Sequence, residues 1–131
     1  MQILTPLNYR TYFYNIGNME NKTAVVALEA LAQESRLQIF RLLVNAGPDG
    51  LPAGKIAKRL KLPSPTLSFH LAQLKNAGLL TCERQSRLLI YSANFRTMNA
   101  LVAFLTENCC HGDPTQCVPV LRQSNTKKES K

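Results

Sequence analysis

Residues 64–78 read Ser-Pro-Thr-Leu-Ser-Phe-His-Leu-Ala-Gln-Leu-Lys-Asn-Ala-Gly, and the fold turns on them. Ser64 offers a capping hydroxyl and Pro65 suits a first helical position, so a helix is expected to start here. Leu67, Leu71 and Leu74 recur at helical spacing and give it one apolar stripe, closed by Ala77-Gly78. The opposite face carries Pro65, Thr66, Ser68, Phe69, Gln73 and Asn76. Immediately upstream, Ala53–Leu60 predicts a short helix that buries Ile56, Ala57 and Leu60 and shows Lys55, Lys58 and Arg59 to water. Lys61-Leu62-Pro63 breaks it. Two helices across so short a break form a helix-turn-helix candidate.

Working outward, Val25, Leu28 and Leu31-Ala32 recur at helical spacing and predict a first helix. Ser35-x-x-Gln38 has the capping-box pattern, with Leu37, Phe40, Leu43 and Val44 on one face behind it and Gly47-Pro48 as the stop. Downstream, the runs Leu80–Glu83 and Leu88–Ser92 predict a hairpin joined through Arg84-Gln85-Ser86-Arg87, a basic tip. Asn94 can cap a last helix from Phe95 to about Asn108, beyond which Gly112 and Pro114 prevent continuation. The expected fold is mainly α with a small β-hairpin: a winged helix-turn-helix of about five helices plus a two-stranded wing. Its domain is expected over 19–110. Residues 1–18 read as an N-terminal extension without regular structure, with Met19 a candidate start, and 111–131 as a cysteine-containing loop and a basic disordered tail.

The 131 residues fit one domain and leave no room for a two-domain enzyme. No apolar run is long enough to span a membrane, and the first twenty residues lack a secretory pattern, so a cytoplasmic protein is expected. The net charge is +8. Lys55, Lys58, Arg59, Lys61, Lys75, Arg84, Arg87 and Arg96 stand against only Asp49 and Glu83, which places +6 between residues 47 and 96. A solvated basic face is one account of this; a polyanionic partner, double-stranded DNA above all, is the other.

A helix that reads DNA needs short polar side chains on the face opposite its core stripe. The candidates are Ser64, Pro65, Thr66, Ser68, Phe69, His70 and Gln73, with Arg84 and Arg87 of the wing reaching a phosphate or the minor groove. Phe69 can meet a thymine methyl or pack on a neighbouring loop. His70, beside the buried stripe, can serve as a structural hydrogen-bonding group or as a phosphate contact. Tyr91, Phe95, Met98, Val102, Leu105 and Cys109 recur in alternating steps of four and three. That stripe suits a helix–helix seam between two copies, or cover for the monomer core.

Cys109, Cys110 and Cys117 lie within nine residues. Three soft thiolates suit a trivalent metalloid, As(III) or alternatively Sb(III), whereas structural zinc wants a fourth ligand that His111 could supply. Adjacent helical side chains diverge, so joint binding by Cys109 and Cys110 requires the helix to fray there. A Cys110–Cys117 disulfide leaves a redox reading open, because adjacent Cα atoms at about 3.8 Å are too close for an unstrained bridge. Cys82 reads as a small buried strand residue or an additional ligand. Cys82 to Arg87 and Cys117 to Arg122 are each one residue short of the Cys-x5-Arg spacing of a phosphatase-like thiol enzyme. A non-enzyme without an organic cofactor is therefore expected.

Glu34-Ser35-Arg36-Leu37-x-Ile39, Leu67-Ser68-Phe69-His70-Leu71-x-x-Leu74-x-x-Ala77-Gly78-Leu79 and Arg84 through Tyr91-Ser92 together resemble the ArsR/SmtB family over about residues 21–110. The resemblance implies a homodimeric winged helix-turn-helix repressor, released from its operator by metals or metalloids. It also implies a dimer seam on the first and last helices, here Leu28 with Phe95, Met98, Val102 and Leu105. Many arsenic-responsive members hold a Cys-x-Cys pair at the first helix of the DNA-binding motif, but Leu51–Lys55 has no cysteine. The chain is similar instead to the arsenite-responsive subgroup with a Cys-Cys…Cys cluster after the last helix. Thiol-redox, zinc, cadmium or antimony sensing, or a repressor whose cysteines are incidental, are the alternatives.

Overall fold

The structure is a computed structural model and describes residues 19–112. The sequence readings of 1–18, of Cys117 and of the tail lie outside those residues.

Five helices and three strands follow one another: α1 (Asn21–Leu31), α2 (Glu34–Ala46), β1 (Leu51–Pro52), α3 (Ala53–Leu60), α4 (Ser64–Asn76), β2 (Leu80–Gln85), β3 (Leu88–Ala93) and α5 (Phe95–Leu105). A short 3-10 turn, Cys109–Gly112, comes last. The strands form one antiparallel sheet in the order β1-β3-β2. The expected two-stranded wing is therefore three-stranded. Leu51 pairs with Tyr91 and Pro52 with Ile90, and the proline is tolerated because β1 lies at the sheet edge. Gly50 makes this approach feasible: at φ 70°, an added Cβ would overlap the Tyr91 carbonyl and the Ser92 hydroxyl.

The helices meet over a core of Ile39, Leu43, Ile56, Leu71, Leu74 and Leu79, all nearly or fully inaccessible. Helix α1 buries Ala24, Ala27 and Ala30, while Val25, Val26 and Leu28 stay exposed. These three thus face away from the protomer core, whereas Leu31 at the end of the helix packs against it. Likewise α2 buries Ile39, Phe40 and Leu43, and Leu37, expected on that face, is exposed.

Both predicted serine caps are displaced. Helix α2 is capped by Gln33, whose Oε1 accepts the Arg36 N–H at 2.9 Å, and Ser35 is already helical. Helix α4 has Pro63 at the cap position with no side-chain bond, and Ser64 is its first helical residue. At its other end the Leu79 N–H donates to the Leu74 carbonyl at 3.0 Å while Gly78 takes φ 82°, the left-handed turn that glycine favours. Asn94 caps α5 as expected, accepting from the Thr97 N–H at 3.3 Å. Its amide also donates to the Gly78 carbonyl at 3.0 Å, tying the start of α5 to the end of α4.

Candidate nucleic-acid interface and thiol turn

Helix α4 is held from beneath by Leu67, His70, Leu71 and Leu74. At about 100° per residue, Pro65, Phe69, Ala72 and Asn76 fall along the middle of the opposite side, flanked by Ser68 on one edge and Thr66 and Gln73 on the other. All of these, and Ser64, are exposed. Phe69 is 58 % exposed, so it does not pack on a neighbouring loop within the protomer. His70 departs from the expected set: it is 7 % exposed, and a buried ring cannot share the outward face. Its Nδ1 lies 3.3 Å from Nη1 of Arg36. Burial first, and the Arg36 charge second, push its pKa below the ordinary imidazole value.

Arg84 sits on β2 opposite Leu89, while Arg87 follows Ser86 in the tight turn, where Ser86 takes φ 58°. Both arginines are exposed, as are Leu88 and Leu89 beside them. A further exposed basic row, Lys55, Lys58 and Arg59, lies on α3 and continues to Lys61. The charge distribution announced this row, although no single residue in it has a base-reading signature. Arg36 was unannounced for a different reason: its partner is 34 positions away in the chain.

The candidate seam residues divide into two groups. Val102 and Leu105 on α5 are exposed, as is Leu28 on α1, whereas Phe95 and Met98 are partly buried and pack on the protomer's own core. Tyr91 lies on β3, not on the helix. Burial and the Cys82 thiol opposite it raise the Tyr91 pKa. Cys82 is half-buried in this cross-strand pair.

Helix α5 stops at Leu105, a turn before the expected Asn108. Asn108, Cys110 and His111 all take left-handed φ, at 57°, 54° and 58°. The chain therefore leaves the helix before the vicinal cysteines, and their Sγ atoms come to 3.7 Å. That separation is far longer than a disulfide bond of about 2.05 Å, so the two sulfurs are not bonded to each other. Among the described residues no three His, Cys, Asp or Glu side chains gather as a metal site, so neither His111 nor Cys82 joins the pair there.

A helix-turn-helix domain family matches residues 31–83. The transcriptional activator HlyU of Vibrio cholerae is 32 % identical over 76 % of this chain and 91 % of its own length. Its solved structure superposes at TM-score 0.53 with 34 % identity, covering 66 % of this chain and 97 % of HlyU. The chain belongs to the ArsR family of winged helix-turn-helix transcriptional regulators. Within this ArsR-family fold, an ArsR-like regulator from Rhodococcus aligns at TM-score 0.61 and 22 % identity over 84 % of this chain and 94 % of its own. A homodimeric winged helix-turn-helix domain from Mycobacterium bovis aligns at TM-score 0.53 and 22 % identity, covering 73 % and 94 %. This ArsR-family chain is a DNA-binding regulator of transcription. Among the described residues no helix is long and apolar enough to cross a membrane.

Proposed function

We propose that the protein is a cytoplasmic homodimeric repressor that trivalent arsenic releases from its operator. Two protomers pair through the outward apolar residues Val25, Leu28, Val102 and Leu105, and each offers α4 to the major groove and Arg84 and Arg87 to the flanking backbone. The observation that carries the effector is the 3.7 Å separation of the Cys109 and Cys110 sulfurs on a left-handed turn at the end of α5. The two thiols already converge, so a soft, trigonal ion can take both without unwinding a helix. Cys117 supplies the third sulfur. The exchange is redox-neutral: As(OH)3 and three thiols give an As(III) tris-thiolate and three waters. Drawing Cys117 onto the turn re-aims the end of α5 and with it the two recognition helices. By linkage, operator DNA weakens arsenite binding by the factor that arsenite weakens DNA binding.

The test uses a duplex selected from random sequence by the arsenite-free protein, at fixed salt and without oxygen. Arsenite is expected to dissociate the wild-type complex. The Cys109→Ser, Cys110→Ser double variant is expected to bind the duplex equally well and to ignore arsenite. Equal arsenite affinity with and without the duplex would sink the scheme.

A second reading, a thiol-redox switch, draws on the exposed and half-exposed cysteine sulfurs of the same turn and on a relative: a further HlyU structure is described as the reduced protein. Release by peroxide that survives in Cys109→Ser but is lost in both Cys110→Ser and Cys117→Ser would favour a Cys110–Cys117 bridge over arsenite sensing.

A further inference from the structure

The buried side of the recognition helix carries a polar device that the reading of its outer face does not use. Arg36, in the first turn of α2, donates from Nε to the Ala30 carbonyl at 2.7 Å. Ala30 lies in the last turn of α1, which has no basic residue of its own. A guanidinium there satisfies one of the carbonyls that a helix end leaves open and complements its negative pole. The same guanidinium reaches His70 of α4 through Nη1, 3.3 Å from Nδ1. One side chain therefore ties α1, α2 and α4 together.

The chemistry of this second contact is directional. A guanidinium has donors only, so Nδ1 must be the acceptor, and His70 is the neutral tautomer with its proton on Nε2. A protonated imidazole has two donors and no acceptor, and it would face Arg36 as a like charge. His70 is also in edge-on contact with Phe69, with ring centroids 5.7 Å apart and planes at 62°. Phe69 stands in the middle of the exposed reading face. The imidazole thus lies between a clamp on the inside and a candidate base contact on the outside.

We infer that Arg36 and His70 are a positioning pair for DNA binding. Arg36, anchored on the end of α1, sets the seat of α4 through the neutral imidazole, and protonation of His70 releases that seat and weakens DNA binding. The lowered His70 pKa agrees with this geometry, since both burial and Arg36 oppose the charged form. Of the charged groups on the surrounding elements, Arg36 of α2 is the one that acts on the ring. Glu29 of α1 lines the open groove that Arg36 shares with Gln73 and Asn76. Lys75 on α4, Lys55, Lys58 and Arg59 on α3, and Glu83 and Arg84 on β2 are all exposed.

The experiment compares wild type with His70→Asn on a duplex selected by the wild type at pH 8, at constant salt, from pH 7.5 to 5.5. The Asn Oδ1 can stand where Nδ1 stands, accepts from Arg36, and does not titrate. One unit below its ordinary pKa, an imidazole freed from Arg36 is about tenfold more protonated than neutral. Because the free folded protein already holds the His70 pKa below that value, wild type is expected to lose affinity by less than this factor per recognition helix, over and above any change in the variant. Parallel pH profiles would overturn the inference. A measurement on wild type alone guards against a variant that misfolds. The chain has two histidines, so their ring signals can be assigned and titrated by NMR. Saturating duplex is expected to move the His70 midpoint lower still, and an unmoved midpoint would equally overturn the pairing.

Discussion

Helix α4 and the turn after α5 are both short segments with a polar job, and they are built in opposite ways. Four buried side chains hold α4 down, a left-handed glycine closes it, and Asn94 and Arg36 clamp it from two neighbouring elements. The thiol turn has Thr106 bonded back to the Val102 carbonyl, one Cys109 N–H to Thr106, and then a run of left-handed residues, with sulfurs exposed or half-exposed. In the proposed scheme α4 is the surface that matches DNA, and it is fixed from beneath. In the same scheme the thiol turn closes on a small ion, and its sulfurs already stand near one another.

The contrast predicts unequal costs. Leu74→Ala removes a fully buried side chain under α4 and is expected to cost about 3 kcal/mol in urea unfolding. A loss below about 1 kcal/mol would mean the recognition helix is not anchored as described. Asn94→Ala removes a cap and leaves the Gly78 carbonyl without its amide partner. About 1 kcal/mol is expected, measured in the same way. A smaller change still should come from acid. Because the His70 pKa is lowered in the fold, the unfolded chain binds its proton first. Stability should hold above about pH 6.5 and fall as pH drops from there toward the folded value, and His70→Asn should lack this component. Least of all, Cys110→Ser in the thiol turn should move unfolding by no more than about 0.5 kcal/mol. A cost rivalling that of Leu74→Ala would erase the distinction between the two regions.

The same division explains what could be read from sequence. The stripe of α4, its glycine stop and the Asn94 cap depend on residues within one or two turns, so local pattern reveals them. Strand β1 escaped because two residues, one a proline, have no period; only their register with Tyr91 and Ile90 makes them a strand. The serine caps were misplaced because Gln33 and Pro63 start their helices one or two residues earlier. Val25 and Leu28 gave the right period for α1, but alanines hold the inner face. Hydrophobic spacing cannot by itself tell an inner stripe from an outward one. Nor does any local pattern bring Arg36 to His70, which meet only once α2 and α4 are packed.

The two-residue strand has a mechanical consequence. By pairing with β3, β1 fastens the link between α2 and α3 to the wing, and Ser92 reinforces the join with a bond to the Pro48 carbonyl at 3.2 Å. The wing is therefore no free-swinging flap but one jaw of a rigid caliper whose other jaw is the helix pair α3–α4. In an assembly of two such chains, adjustment of the gap between calipers falls to the handles, α1 and α5. The proposed signal at the end of α5 would pull where the leverage is.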